Sequence, residues 1–521
     1  MKIYNEDPKP TSSEIVPSKY QQDIYAYLEA GCPENLEIQG VAGCGKSTTL
    51  EELARRIPEG ESGLAVAFNK AIAEELQTRM PKNVSAMTFH SMGYGLCRSL
   101  GWFGVNKNKL PHLLSTEVMP ITTPEYEEIY WSFGKGMCRL VSLLKSNLLT
   151  PETPYAIETI CEHHEIDMPE TLYKIVARLY HKSLEFPSYN GIKDKNQKKA
   201  ISKKRILDFD DMIFFPIQKD MRFRKYRWIL VDEAQDLNPL QREFIKHLMY
   251  TGQMIRGEHI HSKVIVVGDP DQAIYAFRGA SPSSMIELKE AFNTTSFPLS
   301  ISYRCADSIV AEAQTIVPRI EGSGKQGTVR QIHKAQLFPE LNNGDFVLCR
   351  CTAPLIEYCL TLISKGKKGN VLGLDLLEGL QQLIKTLKRQ YPDFKVEDLE
   401  YYKAKEGVKL ERQGKKYEKF RVEARVDTLQ HIFLHPDIHT LDHAMEAIQN
   451  IFADKIEEGV TFSTIHKAKG LEADRVFLIR PDMIPHKRAT KPWQLKQERN
   501  LKYVAITRAK KEFVYVMEIF G

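Results

Sequence analysis

The chain has 521 residues, a formal net charge of +5, 42% hydrophobic and 27% charged residues. That balance describes a globular protein of roughly two to four domains, and no apolar run approaches the length of a membrane span. The mildly basic charge permits a polyanionic partner without requiring one, because a local groove matters more than the total. The N-terminal stretch MKIYNEDPKPTSSEIVPSKY has no apolar centre, so it does not read as a signal peptide, and its first dozen residues read as disordered. Nine cysteines lie scattered without CxxC pairs; Cys161/His163/His164 and Cys349/Cys351 lack convincing metal-ligand spacing. Free buried thiols in a reducing cytoplasm are the expectation.

In chain order, short β-rich runs are expected at 36–39, 63–68, 228–231, 264–267, 345–348, 460–463, 475–479 and 513–517, with helical stretches between them. Strands alternating with amphipathic helices predict an α/β protein with parallel sheets. Two regions break the rhythm. Residues 93–205 read as mostly helical and end in the basic GIKDKNQKKAISKKR, and residues 369–455 read as a mixed insertion containing KAKEGVKLERQGKKYEKFR. Such charge runs fit either a solvated face or the lining of a nucleic-acid track.

The first chemical motif is Gly40-Val-Ala-Gly43-Cys-Gly45-Lys46-Ser47, a full GxxxxGK[ST] between an apolar strand and a helix-forming run that starts at Thr48. Its glycines let backbone N–H groups wrap phosphates at a helix N-terminus. Lys46 neutralises phosphate charge, and the Ser47 hydroxyl suits Mg²⁺. The second is the strand 228–231 followed by Asp232 and Glu233, where Asp232 faces the cation and Glu233 can polarise an attacking water. Together they predict a P-loop ATPase. The third is 264–280, VIVVGDPDQAIYAFRGA. A buried strand there ends beside the amide of Gln272 and the aromatics Tyr275 and Phe277, which suits ligand contact at a strand end and base stacking.

Ten motifs in order then resemble the superfamily 1 DNA helicases of the UvrD/Rep/PcrA type, with touches of the F-box DNA helicase branch. They are YQQDI (20–24), GVAGCGKST (40–48), AFNKAIAEEL (67–76), TFHSMG (88–93), DFDDM (208–212), LVDEAQD (230–236), GDPDQAIYAFRGA (268–280), SYR (302–304), STIHKAKGLEADRV (463–476) and YVAITRAK (503–510).

The resemblance implies two RecA-like domains, a first motor domain from 1–92 and 206–282 and a second from 283–368 and 456–521. Residues 93–205 and a shortened 369–455 would be their accessory insertions. It implies Gln21 as the reader of adenine and Tyr303 as the ring stacked on it. It implies Glu472 at the ribose, and Gln272, Arg304 and Arg508 at the γ-phosphate. It implies single-stranded DNA and its junctions with duplex as partner, contacted by Phe68, Asn69, Thr88, His90, Tyr275, Phe277, Thr464 and His466. It also implies ATP with Mg²⁺ and 3′–5′ movement, in the cytoplasm or, in a eukaryote, the nucleus. Phe277 stands where relatives often carry Trp, and Ala473 where many carry an aromatic. The shortened second insertion leaves room for a translocase that strips proteins from single strands and unwinds little.

Overall fold

The computed structural model describes residues 16–518, except 102, 120–122, 187–193, 195, 197–199, 201–203, 256, 277–282, 373, 413–415 and 454–457. The expectation for the first dozen residues, most of the basic stretch before 205, and Phe277 therefore fall outside the described residues. No described helix is long and apolar enough to cross a membrane.

The first layer is built from β1 (Asn35–Gly40), β2 (Gly63–Ala67) and β3 (Val84–Thr88). After an insertion bracketed by the short pair β4 (Gly104–Val105) and β5 (Ile206–Leu207), it continues with β6 (Trp228–Val231). An antiparallel hairpin, β7 (Thr251–Ile255) and β8 (Glu258–His261), precedes β9 (Lys263–Gly268) and β10 (Thr294–Leu299). Six of these form an all-parallel sheet in the order β10-β1-β9-β6-β2-β3. The second layer holds β11 (Thr328–His333), β12 (Phe346–Cys349), β13 (Gly369–Leu372), β14 (Phe452–Ala453), β15 (Val460–Thr464), β16 (Ala473–Ile479) and β17 (Ala509–Met517). Its parallel order is β11-β17-β16-β12-β15-β13-β14.

Strand periodicity explains the layering. Along β9, Ile265 and Val267 enter a core shared by the two layers, while Val264 and Val266 join a separate cluster that extends into the helices of the first insertion. Along β12, Phe346 and Leu348 join the shared core, and Val347 and Cys349 join a cluster that extends into the second insertion. Sheets covered on both faces need nearly continuous apolar strands, which is what these runs supply.

The pairing moves two expected boundaries. β10 pairs with β1 from Asn35↔Thr294 to Gly40↔Leu299, so the chain stays in the first layer beyond 282. β13 and β14 pair with each other in the second sheet, so the second insertion is not mixed over 369–455. Its excursion consists of the helices Leu374–Gln390, Asp398–Arg412, Lys416–Phe433 and Leu441–Ile451. The expected runs left out β3, the β4–β5 pair, the β7–β8 hairpin, β10, β11, β13 and β14.

Buried ion pairs and a peripheral contact tie the first insertion to its surroundings. Asp211, wholly buried in the DFDDM segment, receives Lys145 Nζ at 2.6 Å on Oδ1 and Lys109 Nζ at 2.6 Å on Oδ2. Farther out, the insertion helix Pro154–His164 meets the start of the second-layer helix Pro492–Ile506. There Lys491 Nζ donates to the Glu162 carbonyl (2.5 Å), and Trp493 stacks on His163 with centroids 5.4 Å apart.

Candidate nucleotide and nucleic-acid site

The phosphate loop runs from β1 into the helix Lys46–Arg55. Gly43 (φ +72°) and Gly45 (φ +81°) hold left-handed backbone, which disfavours any residue with a Cβ. A Cβ on Gly40 would lie 2.7 Å from Lys46 Cγ, so that glycine makes room for the lysine stem. Lys46 Nζ donates to the Val41 carbonyl (3.2 Å). Burial works against its charge, but Cys44, Glu233, Asp269 and Asp232 outweigh burial and hold the ammonium pKa above its ordinary value. Thr48 is half-buried on the helix's first turn. Gln21, buried, sits beside this loop: it accepts from the Ser18 N–H (2.9 Å) and donates to Thr49 Oγ1 (3.0 Å).

Ser47 Oγ lies 3.3 Å from Asp232 Oδ2, at the end of β6. Burial, then the neighbouring Glu233 charge, push the Asp232 carboxyl up to about 6. Glu233 follows in left-handed backbone (φ +50°). Burial would raise its carboxyl too, but Lys469, Lys46, the Gln235 amide and Arg508 hold it below the usual range. It therefore stays an ionised acceptor beside the lysine.

The second layer closes over these groups. Arg508 is 1% exposed; its guanidinium donates to the carbonyls of Val504 (3.0 Å) and Leu471 (3.2 Å) and reaches Gln272 Oε1 at 3.4 Å. Burial, then the nearby Arg304 charge, pull it down to about 10. Arg304 forms an ion pair with Glu472 (2.5 Å), which also holds Lys510 Nζ (2.9 Å). The ribose residue implied by the resemblance thus faces an arginine here. Tyr303 donates its backbone N–H to the Gly43 carbonyl (2.8 Å) and leaves its ring 41% exposed.

The described residues implied for DNA come from both layers. Phe68 and Tyr275 lie nearly parallel (10°), centroids 6.4 Å apart, and the Tyr275 hydroxyl donates to the His466 carbonyl (3.1 Å). Thr464 ends β15, two residues before His466. His90 lines a cleft of about 470 Å³ with Lys70, Gln77, Thr88 and Tyr94. Burial lowers its imidazole pKa against the opposing Asp210 charge, so the ring is neutral at pH 7. Asn69 and Thr88 are engaged as helix caps: Asn69 Oδ1 accepts from the Ile72 N–H (2.9 Å) and Thr88 Oγ1 from the Ser91 N–H (3.1 Å). Those oxygens position helix starts, leaving the Asn69 amide N–H₂ and the Thr88 hydroxyl proton for other partners.

Several side chains at the junction were not singled out from sequence. Tyr503, fully buried, accepts from the Ala42 N–H (2.9 Å) and donates to Asp269 Oδ2 (3.4 Å). Asn500 donates to the carbonyls of Pro270 (3.3 Å) and Ala273 (3.1 Å). Lys469 reaches Asp236 (2.5 Å) and the Gln272 carbonyl (2.9 Å), its ammonium 4.9 Å from the centre of the Tyr275 ring. Tyr503, Lys469 and Asp269 lie inside quoted motifs, so a signal existed. Arg319, which pairs with Asp269 and Asp271, lies in none.

Comparison with known proteins agrees with this arrangement. Residues 29–293 match the UvrD/REP helicase N-terminal domain, and residues 459–516 match the UvrD-like helicase C-terminal domain. F-box DNA helicase protein 1 of Schizosaccharomyces pombe is 26% identical over 95% of this chain and 57% of its own length. F-box DNA helicase 1 of Gallus gallus is 25% identical over 96% of this chain and 49% of its own length. ATP-dependent DNA helicase UvrD1 of Mycobacterium leprae is 25% identical over 61% of this chain and 42% of its own. The chain thus spans about half the length of these curated relatives. The N-terminal match alone covers just over half of the 521 residues and ends within the first motor layer. With two parallel α/β layers meeting where Tyr503 takes the Ala42 N–H and Arg508 reaches Gln272, the chain belongs to the UvrD/Rep helicase family.

Proposed function

We propose that the chain is an ATP-driven motor that moves 3′ to 5′ on single-stranded DNA and opens duplex DNA, in repair, recombination or replication. One observation carries the reading. The Gln272 amide lies 2.8 Å from Asp269 and 3.4 Å from Arg508, while Tyr275, three residues on, is bonded to the His466 carbonyl of the second layer. A phosphate sensor and a base-stacking ring share one short segment, and both touch the layer that must move.

In this reading Gln21 and Tyr303 take the adenine, and Glu472 takes the ribose. Lys46 and the Gly40–Thr48 loop hold the phosphates. Ser47 and Asp232 would hold Mg²⁺, whose charge would offset that of the phosphates; the crowded, high-pKa Asp232 carboxyl suits a divalent partner. Glu233 accepts the proton of the attacking water. Arg304 exchanges Glu472 for the γ-phosphate, joined by Arg508 and Gln272, and the fork geometry of guanidinium suits that contact. Such arginines contribute about 10³–10⁵-fold in phosphoryl transfer. Closure and release of the layers then shift the grip on DNA between Phe68, Asn69, Thr88, His90, Tyr275 and Phe277 on one side and Thr464 and His466 on the other.

The test is ATPase activity and strand displacement with DNA and RNA substrates carrying 3′ or 5′ tails. DNA-stimulated turnover, lost in Lys46→Ala, and unwinding from a 3′ tail are expected. Unwinding that requires a 5′ tail overturns the polarity. The confinement of the second insertion to four helices between β13 and β14 favours a second reading, a translocase that displaces bound proteins and unwinds little. A protein-displacement assay beside the unwinding assay separates the two.

A further inference from the structure

Arg319 follows the helix Asp307–Gln314 in the second layer and belongs to no recognised motif. It reaches the first layer, with Nη2 3.0 Å from Asp269 Oδ1 and Nη1 paired with Asp271. Asp269, wholly buried, has both oxygens engaged. Oδ1 takes Arg319 and the Asp271 N–H (3.1 Å), and Oδ2 takes Gln272 Nε2 (2.8 Å) and the Tyr503 hydroxyl (3.4 Å).

An ionised carboxylate accepts and cannot donate. Beside it the Gln272 amide has one allowed orientation, nitrogen toward Asp269 and oxygen toward Arg508. That orientation depends on Asp269 remaining charged; burial raises its carboxyl, and the Lys46 ammonium and then the Arg319 guanidinium work against that rise. Remove the guanidinium and Asp269 is left closer to taking a proton. A protonated Asp269 can donate to Gln272 Oε1, and the amide can then turn its N–H₂ toward Arg508, where two donors would meet.

We propose that Arg319 is a positioning residue for ATP hydrolysis: through Asp269 it fixes the orientation of the Gln272 amide and makes that orientation depend on the seating of the second layer. The inference rests on the reading that Gln272 senses the γ-phosphate. Arg319 itself touches neither nucleotide nor DNA in this scheme. Its contribution is to a group two bonds of contact away, so it belongs in kcat rather than in ATP affinity.

The test is steady-state, DNA-stimulated ATPase of the full chain, comparing wild type with Arg319→Ala, Arg319→Lys, Asp269→Asn, the Arg319→Ala/Asp269→Asn double variant and Gln272→Ala. Arg319→Ala is expected to lower kcat about tenfold or more, with KM for ATP within about threefold of wild type, as for a misplaced sensor. Arg319→Lys should recover part of kcat, because an ammonium can still pair with Asp269. Asp269→Asn frees the amide in the same way, so the double variant should be no slower than the worse single one. An unchanged kcat in Arg319→Ala, a loss carried in KM, no recovery by lysine, or additive losses in the double variant would each overturn the proposal. If Gln272→Ala turns over normally, or wild type shows no DNA-stimulated ATPase, the reading beneath it fails as well. If Gln272→Ala is slow while Arg319→Ala is normal, only the role of Arg319 falls.

Discussion

Alanine at Gly43 and at Gly45 should have different kinetic consequences, although both glycines lie in one phosphate loop. Each holds left-handed backbone, at φ +72° and +81°, and alanine there costs about 1–2 kcal/mol, or roughly 5–30-fold in an equilibrium. Their surroundings differ. A Cβ at Gly45 would have Gln21 Nε2 as its nearest neighbour at 3.9 Å. A Cβ at Gly43 would stand 2.4 Å from Arg304 Cβ and 3.0 Å from Ser302 Oγ. Carbon pairs settle at about 3.5–4.0 Å, so the layers must part by about 1 Å at this point. No rotamer relieves the clash, because Arg304 Cβ is fixed by its backbone. Misplacement of about that size costs on the order of 10²-fold in a positioned reaction. Both variants should therefore weaken binding of a fluorescent ATP analogue to a similar degree, and only Gly43→Ala should show a further kcat loss of about 10²-fold. Equal kcat values in the two variants would refute the argument that Gly43 is needed for the approach of the second layer.

Three further outcomes follow from particular contacts. The Asp232 carboxyl, at about 6, must lose its proton before it can hold a cation, so Mg²⁺-dependent nucleotide binding should be flat above that pH and fall about tenfold per unit below it. Titration at pH 5–8 checks this, and a flat profile to pH 5 would remove Asp232 from the cation site. Lys145→Met leaves the buried Asp211 with one ammonium instead of two and should cost about 3–5 kcal/mol in local stability. Hydrogen exchange along the helix Pro124–Ser146 reads that loss directly, and a change below about 1 kcal/mol would mean that Lys109 alone compensates. Replacing Phe68 and Tyr275 together by alanine should remove stacking of about 1–3 kcal/mol per base and leave DNA-stimulated ATPase running with little strand displacement. Full displacement by that double variant would place the stacked base elsewhere.

The sequence was most informative where one residue type answers one physical need. The strands β2, β6, β9, β12, β16 and β17 were legible because sheets buried on both faces require nearly continuous apolar runs, and β1 and β15 because apolar residues recur at every second position. The phosphate loop was legible because few other segments combine two left-handed glycines with lysine and serine. β10 was missed because it is an edge strand, TTSFPL, whose polar side chains and Pro298 are tolerated only where one side lacks a partner. β13 and β14 were missed because runs of four and two residues carry too little periodicity. Arg319 was illegible for a different reason. It lies 50 residues from Asp269, and only the packing of one layer on the other brings them together. Glu472 shows the reverse case: its motif implied the ribose as its contact and did not reveal Arg304 and Lys510 as its side-chain partners.

The helix Pro492–Ile506 touches the first insertion at one end and the phosphate loop at the other. At about 1.5 Å per residue its 15 residues form a rod of about 22 Å. The Trp493–His163 stack and the Lys491–Glu162 bond secure one end; Asn500 and Tyr503 secure the other against Ala273, Asp269 and Ala42. A rod pinned at both ends works as a lever. Parting of the layers at Tyr503 must be taken up at the histidine–tryptophan stack, either by sliding of the two rings or by swinging of the insertion. The first insertion is thereby joined to the phosphate loop through the second layer, in addition to its covalent attachment to the first.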